Sequence, residues 1–213
     1  MRKQSASAVV GAAVSLALLA VPARAQNFQD GSADTIWSGN LRLMGSPVHM
    51  FGPDGRPDRT GGAFRLGYGI TDSFDVEAKT GFFDGFDLVG GDGHYRLLNG
   101  QTSLSVRAGG HEAIVRDGPN STALDLSAQV GQHLKRRLEI YAGPAFSWES
   151  VNGVPNSGFT RWYVVPGVKW GFAERLDLLV EGGVGLNDNS PSYVTAGLAL
   201  YMPVSGGAQG RRH

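Results

Sequence analysis

The chain has 213 residues, no cysteine, 32 glycines and equal numbers of basic and acidic residues, 19 of each. This length allows one sizeable β domain or two small ones, and the lack of cysteine excludes a disulfide scaffold and a cysteine-ligated metal site. Because there is no surplus of lysine and arginine to neutralise phosphates, we expect no nucleic-acid partner.

The first 25 residues form a unit of their own. Arg2 and Lys3 precede an apolar run over residues 8–21, and small residues follow up to Ala25. This order is typical of a secretory signal peptide, and we predict cleavage after Ala25. The apolar run is shorter than the ~20 residues of a spanning helix, which disfavours a membrane anchor. Cleavage removes three basic residues and leaves 19 − 3 = 16 basic against 19 acidic residues, a charge of −3.

Short polar turns and longer loops alternate along the mature chain. The short turns lie at 71–73, 99–101, 135–137 and 173–175. The segments between them, such as "FGPDGRPDRTGG" and "ESVNGVPNSG", are rich in Gly, Pro, Asn and Asp, and the connection after Phe83 has the weakest signal. The pattern predicts an antiparallel meander of about ten strands, with eight as the alternative. The predicted strands are 36–50, 63–70, 74–84, 88–98, 102–115, 122–134, 138–148, 159–172, 176–186 and 193–203.

The predicted strands carry one apolar and one polar face. In 176–186, Leu176, Leu178 and Val180 share one face, whereas Asp177 and Glu181 share the other. The polar faces together hold seven cations and seven anions, which can neutralise one another inside a narrow barrel. These residues are Arg42, Arg65, Lys79, Arg96, Arg107, Arg161, Lys169, Asp75, Glu77, Asp92, Asp125, Glu139, Asp177 and Glu181.

Alternation alone does not choose between a membrane barrel and a soluble lipocalin-like barrel. Aromatic residues at the ends of an apolar face favour the membrane, since Trp162 and Phe172 are ten residues apart, the length of one spanning strand. The asymmetry between short turns and longer loops favours it as well. Proline opposes it, because Pro144 and Pro166 lie within strands. We predict that they lie opposite each other and cause a bulge or missing rungs.

The histidines do not predict a metal site. His94, His111 and His133 all fall on the inward face, but at different heights, so we expect them to form separate hydrogen bonds. His111 and Glu112 are neighbours on one strand and point to opposite faces, which disfavours a catalytic dyad. We therefore predict no catalytic, cofactor-binding or metal-binding residue. The glycines of the inward face are expected to leave room for Tyr, Arg and Lys side chains.

The mature chain resembles the small outer-membrane β-barrel proteins of Gram-negative bacteria. "GDGHYRLL" (91–98) looks like the strand-into-turn segment of such barrels, and "TAGLALYM" (195–202) is similar to the terminal-strand signal read by their assembly machinery. The resemblance implies a closed, up-and-down transmembrane β-barrel with short periplasmic turns and longer outer loops. It also implies a location in the cell outer membrane and two partners, outer-membrane lipid and the barrel assembly machinery.

We therefore predict a cleaved signal peptide over 1–25, an outer-membrane barrel over 26–204 and a short flexible tail over 205–213. The expected protein is a monomer and not an enzyme. It has a polar, ion-paired lumen and a structural, small-solute or ligand-binding role. The alternative is a soluble periplasmic or secreted lipocalin-like barrel with an apolar ligand, which requires Leu176, Leu178 and Val180 to point inward. An outer-membrane hydrolase is the third hypothesis.

Overall fold

The chain folds into a single closed sheet of ten antiparallel strands. A computed structural model describes residues 31–52 and 57–204, so the predicted signal peptide and the tail over 205–213 lie outside the described residues. The strands are β1 (Asn40–Phe51), β2 (Arg59–Thr71), β3 (Phe74–Phe83), β4 (Phe86–Leu98), β5 (Thr102–Val115), β6 (Ser121–Lys135), β7 (Leu138–Val151), β8 (Phe159–Ala173), β9 (Leu176–Gly185) and β10 (Ser192–Pro203).

Each strand pairs with its neighbours in sequence, and β1 also pairs with β10, which closes the sheet. A closed ladder leaves no strand edge without hydrogen-bond partners, as a lipid environment requires. The predicted all-β, closed, antiparallel barrel is therefore confirmed, and the strand number is ten rather than eight. Within the described ranges, no helix is both long enough and apolar enough to cross a membrane.

The connections are short on one rim and mostly longer on the other. The short turns are 72–73, 99–101, 136–137 and 174–175, as predicted. On the opposite rim, β3 and β4 are joined only by Asp84 and Gly85, so the expectation of a longer loop is wrong at this position. Gly85 has a φ of 89°, which a glycine adopts without strain in a two-residue hairpin. The sequence Asp-Gly carries the signal for this turn.

The prolines within strands interrupt hydrogen bonding on one side only. The β6–β7 ladder is broken beside Pro144 and the β8–β9 ladder beside Pro166, and each resumes in the same register. The predicted missing rungs are therefore confirmed, whereas the predicted position is wrong. Pairing between β7 and β8 is continuous, and Pro166 faces Ala142 rather than Pro144, an offset of two positions (144 − 142). A proline removes a rung only on the side to which its nitrogen points.

The outward face of the barrel is apolar. Val180 on β9 is 44% exposed and Leu198 on β10 is 53% exposed, whereas Asp177 and Glu181 are buried. The soluble alternative requires the opposite orientation of β9 and is disfavoured by this arrangement. Other exposed apolar side chains lie on every strand, and they include Leu43, Phe64, Leu66, Val76, Phe82, Val89, Tyr95, Val106, Ile114, Leu124, Leu126, Val130, Ile140, Val164, Val168, Val184 and Val194.

Aromatic side chains flank this apolar face near both rims. Trp162 lies near the rim of the longer loops, where its ring centroid is 4.6 Å from that of Phe146. Trp170 and Phe172 lie near the rim of the short turns, with centroids 5.9 Å apart. Trp162, Trp170 and Phe172 are all exposed. The two rows match the aromatic girdles that sit at the two interfaces of a bilayer.

Replacing Leu198 with arginine should destabilise the inserted barrel by about 2–4 kcal/mol, because Leu198 is exposed near the middle of β10 and a cation there must be buried in hydrocarbon. The measurement is urea-induced unfolding of the protein in lipid vesicles. Val204→Arg is the matched control, since Val204 is equally exposed but follows β10 at the rim, where we expect a loss of about 0–1 kcal/mol. Equal losses for the two variants would contradict a membrane-spanning β10.

Candidate functional site

The barrel interior contains the charged side chains of the inward faces. All fourteen residues of the polar set named from the sequence are buried. Glu149 belongs with them, although it was predicted to lie in the loop after β7. It is buried within β7 and accepts a hydrogen bond from Ser121, and the Arg161 guanidinium lies 2.8 Å from its carboxylate. The interior is therefore a set of ion pairs shielded from solvent.

Glu77 on β3 lies at the centre of the first ion-pair group. Its Oε1 is 2.5 Å from Arg42 on β1 and 3.5 Å from Arg107 on β5. Gly67 lies between Arg42 and Glu77 in the register of β1, β2 and β3. The Arg42 guanidinium spans β2 to reach the carboxylate, and the space above Gly67 holds Ile36 and the Glu77 side chain itself. One carboxylate thus joins cations from two non-adjacent strands.

A second group forms a chain of alternating charge. Arg65 lies 3.3 Å from Asp92, and Asp92 lies 2.9 Å from the Lys79 amine. The same amine is 3.1 Å from Asp125, which is in turn 2.7 Å from Nδ1 of His111. Each carboxylate in this chain contacts two basic groups, so no charge in it is buried alone. This arrangement meets the condition under which buried charges are tolerated.

Apolar side chains close the interior near the rim of the longer loops. Phe83 and Phe86 stack with ring centroids 4.9 Å apart, directly beside the Asp84-Gly85 turn. The Arg59 guanidinium lies 5.6 Å from the Phe86 centroid. The buried cluster consists of Val48, Met50, Ala63, Phe83, Phe86, Leu88, Ala113, Val115 and Tyr193. It places an apolar region between the longer loops and the ion pairs.

The segment over residues 31–37, which we call the N-terminal plug, enters the interior from the rim of the short turns. The backbone N–H of Ile36 donates to Asp75 at 2.7 Å, and the Thr35 hydroxyl donates to the carbonyl of Asp72 at 2.8 Å. A methyl group at Gly69 would overlap the carbonyl of Trp37, so glycine is needed where the plug crosses β2. The prediction that residues 36–39 begin the first strand is therefore wrong.

Asp34 is the main electrostatic contact of the plug. Its carboxylate is 2.5 Å from the Lys169 amine, 3.4 Å from His133 and 3.9 Å from Arg96. Burial by itself raises the pKa of Asp34, but the charge of Lys169 and the contact with His133 outweigh it and hold the pKa well below its ordinary value. Asp34 is therefore ionised at neutral pH and ties the plug to the barrel wall.

Asp34, His133 and Glu139 place potential metal-ligating atoms within 4.8 Å of one another. The Lys169 amine lies between the two carboxylates, 2.5 Å from Asp34 and 2.7 Å from Glu139. This amine already neutralises the oxygens that a metal ion would need. We therefore assign the cluster as a salt-bridge group.

A cavity of about 570 Å³, which we call the vestibule, opens at the rim of the short turns. Its inner wall includes the salt-bridge group and the aromatic rings of Trp37 and Tyr201. Residues of all four short turns and of the plug also line the cavity. The volume falls in the range of small-ligand sites, ~300–1,000 Å³.

The three inward histidines occupy separate places, as the sequence predicted. His94 lies 3.3 Å from Asp75, His111 pairs with Asp125, and His133 pairs with Asp34. Glu112 accepts a hydrogen bond from the side-chain amide of Asn120, on the other side of β5 from the pair of His111 and Asp125. The role of Asp34 could not be predicted, because it lies before the first strand, where no alternating pattern indicates a direction.

The interior glycines make room for tyrosine rings, as expected, but also for other groups. At Gly167 and Gly183 a methyl group would overlap the rings of Tyr141 and Tyr193, in agreement with the prediction for tyrosine. Gly67 instead accommodates Ile36 of the plug, and Gly143 faces the backbone of β6. Some glycines thus leave space for a neighbouring backbone or for the plug. The alternation within a strand does not predict these two uses.

No family model matches the chain, and no curated protein matches it. Similar solved structures include an outer-membrane channel from Pseudomonas putida F1, with 12% identity, 83% of this chain and 100% of that chain covered, and a TM-score of 0.47. Another is the translocator domain of the autotransporter NalP from Neisseria meningitidis, with 11% identity, 92% and 96% coverage, and a TM-score of 0.45. A third is OprG from Pseudomonas aeruginosa, with 12% identity, 81% and 99% coverage, and a TM-score of 0.41.

The identities and TM-scores of these three structures are low, so we assign the class of the protein from its own geometry. A closed sheet, an apolar outward face between two aromatic rows, and a charged interior define a transmembrane β-barrel of the outer-membrane type. The chain thus has the fold of a transmembrane β-barrel. In barrels of this type the short turns lie on the periplasmic rim, and we therefore expect the vestibule to open toward the periplasm.

Proposed function

We propose that the chain is a monomeric outer-membrane barrel with a closed, ion-paired interior and a structural or small-ligand-binding role. One observation supports the proposal, namely that side chains or the plug occupy each of three successive parts of the interior. The apolar cluster around Phe83 and Phe86 occupies the outer part, ion pairs occupy the middle, and the plug occupies the periplasmic part. Narrow barrels of this size hold side chains rather than an aqueous channel, which belongs to ~16-stranded porins.

The proposed partners are outer-membrane lipid, through the apolar face, and the barrel assembly machinery during insertion. We propose no nucleic-acid partner and no catalytic activity. His111 and Asp125 form the closest pair to a catalytic dyad, but both are buried within the ion-pair chain. A substrate has no access to them in this arrangement, which disfavours the hydrolase hypothesis.

Recording from single refolded barrels in a planar bilayer tests the closed interior. We expect insertion without conductance steps, because ions would have to cross both the apolar cluster and the plug. Insertion itself must be verified in the same preparation, by the detergent resistance of the folded barrel on unheated gels. Reproducible conductance steps from correctly inserted protein would refute the proposal of a closed barrel.

A further inference from the structure

The vestibule is lined by both acidic and basic side chains, and its inner wall is rich in carboxylates. Asp34 and Glu139 both contact Lys169, and Asp34 also lies near Arg96. Asp72 lines the same cavity, where its carboxylate accepts a hydrogen bond from the backbone N–H of Ser38. Asp177 lines the cavity as well, so the inner wall holds four carboxylates against Lys169 and Arg96, and an anion is expected to bind at the mouth instead.

The mouth of the vestibule is different on the side of the β6–β7 turn. Lys135, Arg136 and Arg137 are consecutive, exposed and line the cavity. In the described part of the chain, no carboxylate lies within the 4.0 Å of an ion pair from any of them, and no side-chain hydrogen bond involves them. Glu174 lies in the β8–β9 turn, the next short turn around the rim, and lines the cavity as well. Within residues 31–52 and 57–204, these three adjacent cations thus face an open cavity without a carboxylate partner.

We propose that the vestibule binds a phosphate-bearing anion that enters from the periplasmic side, held by Lys135, Arg136 and Arg137. Guanidinium groups offer paired N–H donors that match the oxygens of a phosphate, and three adjacent cations suit a group with more than one negative charge. Trp37 and Tyr201 supply aromatic surface for the remainder of the ligand. The phosphate comes either from a soluble molecule or from the headgroup of an anionic phospholipid in the periplasmic leaflet.

Titration with inorganic pyrophosphate tests this site through the fluorescence of Trp37. The reporter protein carries Trp148→Phe, Trp162→Phe and Trp170→Phe, so that its emission comes from the vestibule. We expect a saturable change that weakens with added salt. Replacing Lys135, Arg136 and Arg137 together by glutamine should weaken pyrophosphate binding by about tenfold or more, and Arg136→Gln alone by about three- to fivefold.

Arg175→Gln is the matched control. Arg175 is exposed on the same rim but does not line the vestibule, and its replacement removes the same charge as Arg136→Gln. We expect its pyrophosphate affinity to stay within about twofold of the unsubstituted reporter. If Arg175→Gln weakens binding as much as Arg136→Gln does, the attraction is a general property of the rim, and the proposed site is wrong.

Two bilayer compositions distinguish the sources of phosphate. The reporter is placed in nanodiscs of phosphatidylcholine alone or of phosphatidylcholine with phosphatidylglycerol. If pyrophosphate binds more weakly in the nanodiscs with phosphatidylglycerol, and the glutamine triple variant does not show this difference, the ligand is a lipid headgroup. If pyrophosphate binds equally in both compositions, the ligand is a soluble molecule. No saturable binding in either overturns the proposal. Pyrophosphate binding and conductance are measured independently, so the proposed anion site and the proposed closed barrel can be refuted separately.

Discussion

Replacing Glu77 with leucine is expected to destabilise the barrel by about 3–5 kcal/mol. Glu77 is buried and contacts both Arg42 and Arg107, so its loss leaves two guanidinium groups in the interior without their shared anion. The penalty of an uncompensated buried charge exceeds the energy of a typical surface contact. The measurement is the free energy of unfolding in lipid vesicles, obtained from urea titrations followed by tryptophan fluorescence.

Two controls separate buried charge from general sensitivity to substitution. Arg116→Gln breaks an exposed pair, since Arg116 and Asp87 lie 3.3 Å apart at the surface, and should cost about 0–1 kcal/mol. The triple change Arg42→Met, Glu77→Leu and Arg107→Met removes all three charges and should recover most of the stability lost in Glu77→Leu. If the triple variant is less stable than Glu77→Leu, the destabilisation comes from lost packing and our electrostatic account is wrong.

Replacing Asp34 with asparagine is expected to loosen the N-terminal plug by about ten- to a hundredfold. The substitution keeps the shape of the side chain but removes a charge-assisted contact with Lys169, worth about 1.5–3 kcal/mol. The chain has no cysteine, so Ala33→Cys introduces a unique reporter at a fully buried position of the plug. The rate of thiol labelling by a soluble maleimide then follows the population of the released plug.

The controls for this experiment use the same chemistry outside the interior. Ser38→Cys places the thiol at an exposed position and should be labelled rapidly with or without Asp34→Asn. Asp87→Asn removes a surface carboxylate and should leave the labelling rate of Ala33→Cys unchanged. Equal labelling of the buried thiol with and without Asp34 would show that hydrogen bonds such as the one from Ile36 hold the plug without the ion pair.

The labelling rate of Ala33→Cys, divided by that of the exposed Ser38→Cys at the same pH, should depend little on pH near neutrality; the division removes the intrinsic pH dependence of the thiolate. Because the folded-state pKa of Asp34 lies below its ordinary value, the carboxylate stabilises the plug at every pH above that ordinary value, ~3.9. This contribution is lost only as the pH falls through the lower folded-state pKa. Protonation of His133, 3.4 Å from Asp34, adds a cation as the pH falls and therefore acts in the same protective direction.

The direction of the side chains in the strands could be predicted from the sequence. Successive strand residues point to opposite faces, so the alternation of Leu178 and Val180 with Asp177 and Glu181 identifies the two faces without knowledge of any partner strand. The same reasoning identified the fourteen buried charges. It failed at Glu149, where a loop-like composition outweighed the continuing alternation of β7.

The partners of the interior charges were decided by the tertiary structure. Arg42 reaches Glu77 because the register aligns both residues with Gly67, and Lys79 joins Asp92 to Asp125 because closure brings their strands around one centre. Strand register and closure depend on all ten strands together, and no local pattern encodes them. The sequence by itself thus determined ten strands, their two faces and a membrane-facing surface. Only closure of the barrel decided which charges meet. The tertiary structure also placed residues 31–37, which follow no strand pattern, in the space that the glycines of β2 leave open.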